Sequence, residues 1–194
     1  MRGRKKTEAK ELQILRAAGE VFATKEYHLV LMEEVALRAG VGKGTLYRYF
    51  PTKEDLFFAT LFDGLERLGA EIEAVASSGD SFRARLEGIA CHILRFMWPH
   101  RPIVSLLEQY EARLRGPQGA EWLEKRTQVV DRVGGLFAGA AERSEIRTAD
   151  ARLGAELFLG MVRAANVYRS EGDSPEDLGR RVVDVLLHGI GGAS

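Results

Sequence analysis

The feature that most constrains this fold is a pair of short helical segments with sharp ends, lying between residues 32 and 51. The first covers residues 32–38 and ends at Gly40, and the second covers residues 41–50 and stops at Pro51. Glycine readily takes the positive φ at which many helices end, and proline cannot continue a helix. The sequence therefore predicts two short helices joined by a tight turn.

Helical periodicity also dominates the rest of the chain. Leu12, Leu15 and Phe22 recur at the intervals of a buried helix face, and Thr52 with Asp55 forms a capping-box pattern that opens a long helix. Further helices are predicted over residues 8–24, 52–76, 82–97, from after Pro102 to about 115, 118–142, 149–169 and 174–188. Because no strand-like alternation persists, the sequence predicts an all-α fold of about nine helices.

The formal net charge of zero hides an uneven distribution. Residues 1–50 carry ten Lys/Arg against six Asp/Glu, whereas residues 51–194 carry eighteen against twenty-two. A basic N-terminal part on an acidic remainder is compatible with binding of a nucleic acid by the basic part. The basic run from Arg2 to Lys6 is either an arm that reaches along DNA or a disordered, solubilising start, and both interpretations stay open.

Composition excludes several other classes of protein. The single cysteine, Cys91, excludes an intramolecular disulfide and any metal site built from several cysteines. No apolar run approaches the roughly 20 residues of a membrane span, and the basic start is not followed by the apolar stretch of a signal peptide. We therefore expect a cytoplasmic protein with no membrane partner, no metal and no cofactor.

The second short helix carries chemistry suited to DNA. Its exposed side is predicted to present pairs of residues four apart, namely Lys43 with Tyr47, Gly44 with Arg48, and Thr45 with Tyr49. Cations neutralise phosphates, hydroxyls donate to phosphate oxygens, and a glycine allows close backbone approach. The alternative is a solvated surface helix whose tyrosines only pack against the first helix of the chain.

The sequence of this region resembles the TetR family of transcriptional regulators. The resemblance rests on the continuous motif Ala39-Gly40-Val41-Gly42-Lys43-Gly44-Thr45-Leu46-Tyr47-Arg48-Tyr49-Phe50-Pro51-Thr52-Lys53-Glu54-Asp55-Leu56, supported by residues 14–22 upstream. It implies a helix-turn-helix DNA-binding domain over residues 1–51 and an effector-binding and dimerisation domain over residues 52–194, joined by the long helix. By the same resemblance, Lys43, Gly44 and Thr45 read bases, Tyr47, Tyr49 and Lys53 contact phosphates, and Arg48 contacts backbone or base.

One position departs from the family pattern. The helix over residues 32–38 lacks the usual Ser or Thr at its start, where the chain reads Val30-Leu31-Met32-Glu33-Glu34. A carboxylate here would repel phosphate unless it accepted a hydrogen bond from a cytosine amino group. We therefore do not count this helix among the expected DNA contacts.

The remainder of the chain is expected to hold a small-molecule effector and to form a homodimer. The apolar character of the last two helices on more than one side favours contact with both a core and a second subunit, although burial within one subunit is the alternative. The expected interface residues are Leu157, Phe158, Met161, Ala165, Val182 and Leu186. The expected effector-pocket residues are His92, Phe96, Gln109, Tyr110, Arg113, Trp122, Phe137 and Asn166.

Together these features predict a ligand-responsive transcriptional regulator. The resemblance implies a repressor that binds a palindromic double-stranded DNA operator as a homodimer and is released by a small-molecule effector. One alternative is a constitutive DNA-binding protein without an effector. The other is a helical enzyme, which the sequence disfavours because it contains neither a recognisable nucleophile–base constellation nor a phosphate-binding loop after a strand.

Overall fold

The structure, a computed structural model, describes residues 2–98, 117–147 and 150–189. Within these ranges the chain is helical and contains no strand. The helices are α1 (Arg2–Thr24), α2 (Met32–Arg38), α3 (Lys43–Tyr49), α4 (Lys53–Ala76), α5 (Phe82–Met97), α6 (Pro117–Glu142), α7 (Ala151–Val167) and α8 (Pro175–His188), with a short 3₁₀ turn at Tyr27–Leu29. The predicted all-α fold is confirmed.

Most predicted helix boundaries agree with the structure to within two residues. The exception is α1, which begins at Arg2 rather than near residue 8, so the backbone of the basic run belongs to the helix. The capping box at the start of α4 is also confirmed. The Asp55 amide donates to Thr52 Oγ1 at 3.0 Å, and the Thr52 amide donates to the Asp55 carboxylate at 3.1 Å. The helix predicted between residues 102 and 115 lies outside the described residues.

The chain divides into two compact units. In the described residues, the first unit comprises residues 2–65 and 117–122, and the second comprises residues 66–98, 123–147 and 150–189. The helix α4 therefore contributes its first half to one unit and its second half to the other. The functional boundary expected between residues 51 and 52 stays a prediction.

The first unit folds around an aromatic and aliphatic core. Ile14, Phe22, Leu46 and Leu56 are almost completely buried, and they come from α1, α3 and α4. Phe57 meets the ring of Phe22 edge-on at 5.4 Å. This core fixes α3 from its inner side through the buried side chain of Leu46.

The second unit is built on contacts among α5, α7 and α8. Gly179 of α8 brings the helix close to α5, because a Cβ at this position would lie 3.4 Å from the Cβ of Ala90 and from two backbone atoms of α5. Phe158 of α7 and Val183 of α8 are completely buried. No helix in the described part of the chain is both long enough and apolar enough to cross a bilayer.

Candidate functional site

The turn between α2 and α3 is held by backbone hydrogen bonds at the end of α2. Gly40 has a φ of +60°, its amide donates to the Leu37 carbonyl at 3.0 Å, and the Val41 amide donates to the Ala36 carbonyl at 2.9 Å. These two bonds form a Schellman motif, which ends α2 in the way that the glycine predicts. The side chain of Gln13 in α1 also donates to the Ala39 carbonyl at 2.7 Å. The orientation of α3 therefore depends on both α1 and α2.

The outer face of α3 is open to solvent. Lys43, Gly44, Tyr47 and Arg48 are exposed, and Thr45 is half-buried. A Cβ added to Gly44 would meet no atom within 4 Å, so packing within the chain does not require a glycine here. Glycine in a helix costs up to about 1 kcal/mol relative to alanine. The missing side chain leaves the helix backbone accessible at this position.

The ammonium of Lys43 forms an ion pair with the carboxylate of Glu33 in α2. Both side chains are more than half exposed. The hydrogen bond from Lys43 lowers the pKa of Glu33 below its ordinary value, and the same bond raises the pKa of Lys43. The sequence analysis set Glu33 aside because a carboxylate there would repel phosphate. It did not find the contact with Lys43, because no spacing rule relates residues of two helices across a turn.

The two tyrosines of α3 have different surroundings. Tyr47 is exposed, and the Lys43 ammonium lies 5.9 Å from the centroid of its ring. Tyr49 is half-buried, and its hydroxyl donates to the Thr7 carbonyl of α1 at 3.3 Å. Tyr47 is thus available to a ligand of this face, whereas Tyr49 has the packing role that the sequence left as an alternative.

Lys53, expected to contact phosphate, contacts the protein's own backbone in this structure. Its ammonium donates to the carbonyls of Tyr27 at 2.9 Å, Val30 at 3.1 Å and His28 at 3.3 Å. It also lies 4.6 Å from the centroid of the Tyr27 ring. Lys53 therefore ties the first turn of α4 to the segment that precedes α2, a contact that only the tertiary structure reveals.

Replacing Lys53 by methionine separates these two roles. Because hydrogen bonds from a charged group are lost, we expect the free energy of unfolding to fall by about 1–3 kcal/mol. The salt dependence of binding to random duplex DNA should not change. Urea denaturation and binding titrations at several salt concentrations measure the two quantities. Lys25→Met is the control, because Lys25 is exposed and its ammonium pairs with a side chain, that of Glu34, and not with backbone carbonyls. Unchanged stability with a salt slope reduced by about 0.9 per subunit would restore the phosphate role.

The helix α7 and its C-cap carry an apolar stripe that is largely exposed. Leu153, Leu157 and Tyr168 are 54%, 54% and 85% exposed, and Met161 and Ala164 lie between them at helical spacing. The expected interface residues are divided by the structure. Leu157 is exposed and Met161, Ala165 and Leu186 are half-buried, whereas Phe158 and Val182 are buried in the core of their own unit.

The expected effector-pocket residues that the structure describes do not share one set of neighbours. Trp122 packs against the core of the first unit. In the second unit, His92 Nδ1 lies 2.9 Å from the Glu71 carboxylate, and the buried Asn166 accepts a hydrogen bond from Arg169. Phe96 is half-buried in α5, and Phe137 is buried in α6. Gln109, Tyr110 and Arg113 lie outside the described residues.

Phe137 borders a cleft of about 690 Å³ in the second unit. The cleft is lined by Ser81, Phe82, Arg83, Phe137, Glu145, Ile146, Arg147, Gly154, Leu186, Leu187 and His188. Its aromatic wall consists of Phe82 and Phe137, whose rings meet edge-on at 5.3 Å. Gly154 makes room for this wall, because a Cβ there would lie 2.7 Å from the Phe137 ring.

Charged side chains also border this cleft. Arg83 pairs with Glu87 at 2.8 Å and with Asp184 at 3.0 Å, whereas Arg147 is exposed and has no ion pair among the described residues. The volume of the cleft, about 690 Å³, falls within the range of roughly 300–1,000 Å³ that is typical of small-molecule sites. The sequence did not reveal this cleft, because its lining comes from the ends of four helices and a loop that are distant in the chain.

Profiles of two protein families match the chain. Residues 14–60 match the family described as bacterial regulatory proteins, tetR family. Residues 79–190, more than half of the chain, match the family described as tetracyclin repressor-like, C-terminal domain. The first match covers α2, α3 and the face described above, and the second covers the cleft and the α7 stripe.

One relative matches over nearly the whole chain, and another matches over less than half of it. The fatty acid metabolism regulator protein of Bacillus subtilis (strain 168) is 28% identical over 196 residues, covering 96% of this chain and 98% of that protein. The transcriptional repressor KstR of Mycolicibacterium smegmatis is 36% identical over 85 residues, 44% of this chain and 42% of that protein.

Solved structures share the fold. FadR from Bacillus subtilis in complex with stearoyl-CoA has a TM-score of 0.76 at 20% identity, covering 93% of this chain and 99% of that one. AibR in complex with isovaleryl coenzyme A and operator DNA has a TM-score of 0.71 at 22% identity, covering 92% of this chain and 98% of that one. At these identities the structures establish the arrangement of helices alone.

Proposed function

The chain belongs to the TetR family of transcriptional regulators, and from this premise we propose a repressor whose effector is a fatty acyl-coenzyme A thioester. That it is a ligand-responsive DNA-binding regulator, and not an enzyme, follows from the family. What we propose beyond this is that the protein represses transcription, which effector it binds, and which residues contact DNA and the effector. A cytoplasmic location is part of the proposal, because the operator lies there in a bacterial cell.

The exposed face of α3 is the observation that carries the DNA-binding part. Lys43, Gly44 and Thr45 are assigned to the bases, and Tyr47 and Arg48 to the sugar-phosphate backbone. In a homodimer, two such faces would enter successive major grooves about 34–36 Å apart, which requires a palindromic operator. Tyr49 and Lys53 are assigned supporting roles, because their polar groups already bond within the chain.

The cleft beside Phe137 is the observation that favours an acyl-coenzyme A effector. An acyl chain requires an apolar wall, which Phe82, Phe137 and Ile146 provide. The phosphates of coenzyme A require cations, and Arg147 is available at the border of the same cleft. The likeness over nearly the full chain to a fatty acid metabolism regulator supports this choice of ligand class.

Effector binding would act through α4, the helix that contributes to both units. A ligand that favours one arrangement of α4 would change the position of α3 on the operator. A coupling free energy of about 1–3 kcal/mol lowers operator affinity about 5–150-fold, which is enough for release.

The effector prediction can be tested by direct titration. A duplex selected from a random library serves as the operator, and binding is followed by fluorescence anisotropy while acyl-coenzyme A thioesters of four to eighteen carbons are added. We expect one chain-length range to lower affinity about 5–150-fold. Free coenzyme A and free fatty acids should have little effect, because each provides only half of the required chemistry.

Two arginines make a matched pair for the same assay. Arg147→Gln should weaken the response, because Arg147 borders the cleft. Arg152→Gln should not, because neither Arg152 nor its partner Asp131 belongs to the lining. If no thioester changes operator affinity, the effector assignment is wrong and the constitutive DNA-binding alternative gains support. Equal responses in both arginine variants would place the ligand elsewhere.

A further inference from the structure

The face of α3 that the proposed function assigns to DNA includes an acid from the neighbouring helix, and the inference below rests on that assignment. Glu33 lies in the first turn of α2, Lys43 lies in the first turn of α3, and their charged groups form an ion pair in the free protein. We propose that Glu33 is a specificity-determining residue that holds the Lys43 ammonium away from phosphates and leaves it able to reach only a neutral base acceptor.

A guanine base and a phosphate differ in whether Lys43 can bind them while it stays paired with Glu33. An ammonium has three donors, so Lys43 can keep its bond to Glu33 while it donates to O6 or N7 of a guanine. Those acceptors are neutral and do not repel the carboxylate. A phosphate is an anion, and drawing Lys43 to it would leave Glu33 facing a negative backbone. Glu33 therefore weakens binding to random DNA more than binding to the operator.

The simpler explanation is that Glu33 only stabilises the start of α2. That start has no side-chain cap, since Leu31 occupies the N-cap position, and acids in the first turn are favoured there by the helix dipole. Glu34 meets the same need one residue later, and its partner is Lys25 at 2.7 Å, not a residue of α3. Comparing the two glutamates thus separates a contribution to the helix from an effect on Lys43.

The test compares Glu33→Gln with the matched control Glu34→Gln. Each removes one negative charge from the first turn of α2, and both sites tolerate the change because both side chains are solvent-accessible. Affinities for the selected operator and for random duplex DNA are measured between 50 and 200 mM salt. For Glu33→Gln we expect the salt slope on random DNA to steepen by about 0.9 per subunit, so the added affinity declines about 3.5-fold per subunit across that range.

The ratio of operator to random affinity should fall in Glu33→Gln and stay near the wild-type value in Glu34→Gln. Glu33→Gln made in a Lys43→Met background should leave the slope on random DNA unchanged, because the released cation is absent. If the slope steepens equally in that background, or equally in Glu34→Gln, Glu33 acts by bulk charge alone and the proposal is wrong. An unchanged ratio in Glu33→Gln would also overturn it.

Discussion

Replacing Leu157 by glutamate is expected to convert the protein to a monomer and to lower its affinity for the full operator about 10²–10⁴-fold. Leu157 lies in the middle of the apolar stripe of α7, half exposed in a single chain. A carboxylate there would have to lose its hydration in the interface without a partner. Since a dimer joins two half-site contacts into one binding event, the monomer loses the gain from that linkage.

Sedimentation at micromolar concentration measures the oligomeric state, and titration with whole and half operators measures the affinity. Leu123→Glu is the matched control, because Leu123 of α6 is 60% exposed and lies on another helix. We expect this control to remain dimeric. A Leu157→Glu protein that sediments as a dimer would show that the subunits associate through a different surface.

Replacing the next residue, Phe158, by alanine is expected to lower the free energy of unfolding by about 3–5 kcal/mol. Its side chain is completely buried in the second unit, so truncation removes apolar burial and leaves a cavity. The change is best made in the Leu157→Glu background, because unfolding of a monomer does not depend on protein concentration.

Urea denaturation followed by circular dichroism gives the difference, with Leu153→Ala on the exposed side of the same helix as the control. We expect that control to change stability by less than about 0.5 kcal/mol. A loss below about 1 kcal/mol for Phe158→Ala would mean that Phe158 is not a core residue. It would then belong with Leu157 in the interface, as the sequence alone predicted.

These adjacent residues show how far sequence reasoning reaches. The helices could be predicted from apolar periodicity and from the residues that begin or end them. Gly40, Pro51 and the Thr52–Asp55 capping box act through local backbone geometry, which the sequence alone determines. Periodicity could not assign Leu157 and Phe158 to different surroundings. A helix that is apolar on both sides offers no contrast from which to read the direction of its own core.

The residues expected to contact DNA show the same limit. The resemblance identified the exposed face of α3, yet it could not show that Lys53 bonds to three carbonyls or that Glu33 pairs with Lys43. Long charged side chains reach several ångströms in any direction, so their partners are decided by packing between helices. The cleft of the second unit escaped prediction for a similar reason, since its lining is brought together only by the fold.

The hydrogen bonds of Lys53 couple the movements of α4 and α2 within the first unit. The first turn of α4 is bonded through this ammonium to the backbone at residues 27–30, and α2 begins two residues later. A tilt of α4 would therefore also move the N-terminal end of α2. The turn at Gly40 would transmit this movement to α3. Lys53 would thus pass the movement of α4 to α2. We expect a variant without this lysine to keep its affinity for DNA while losing much of its response to the effector.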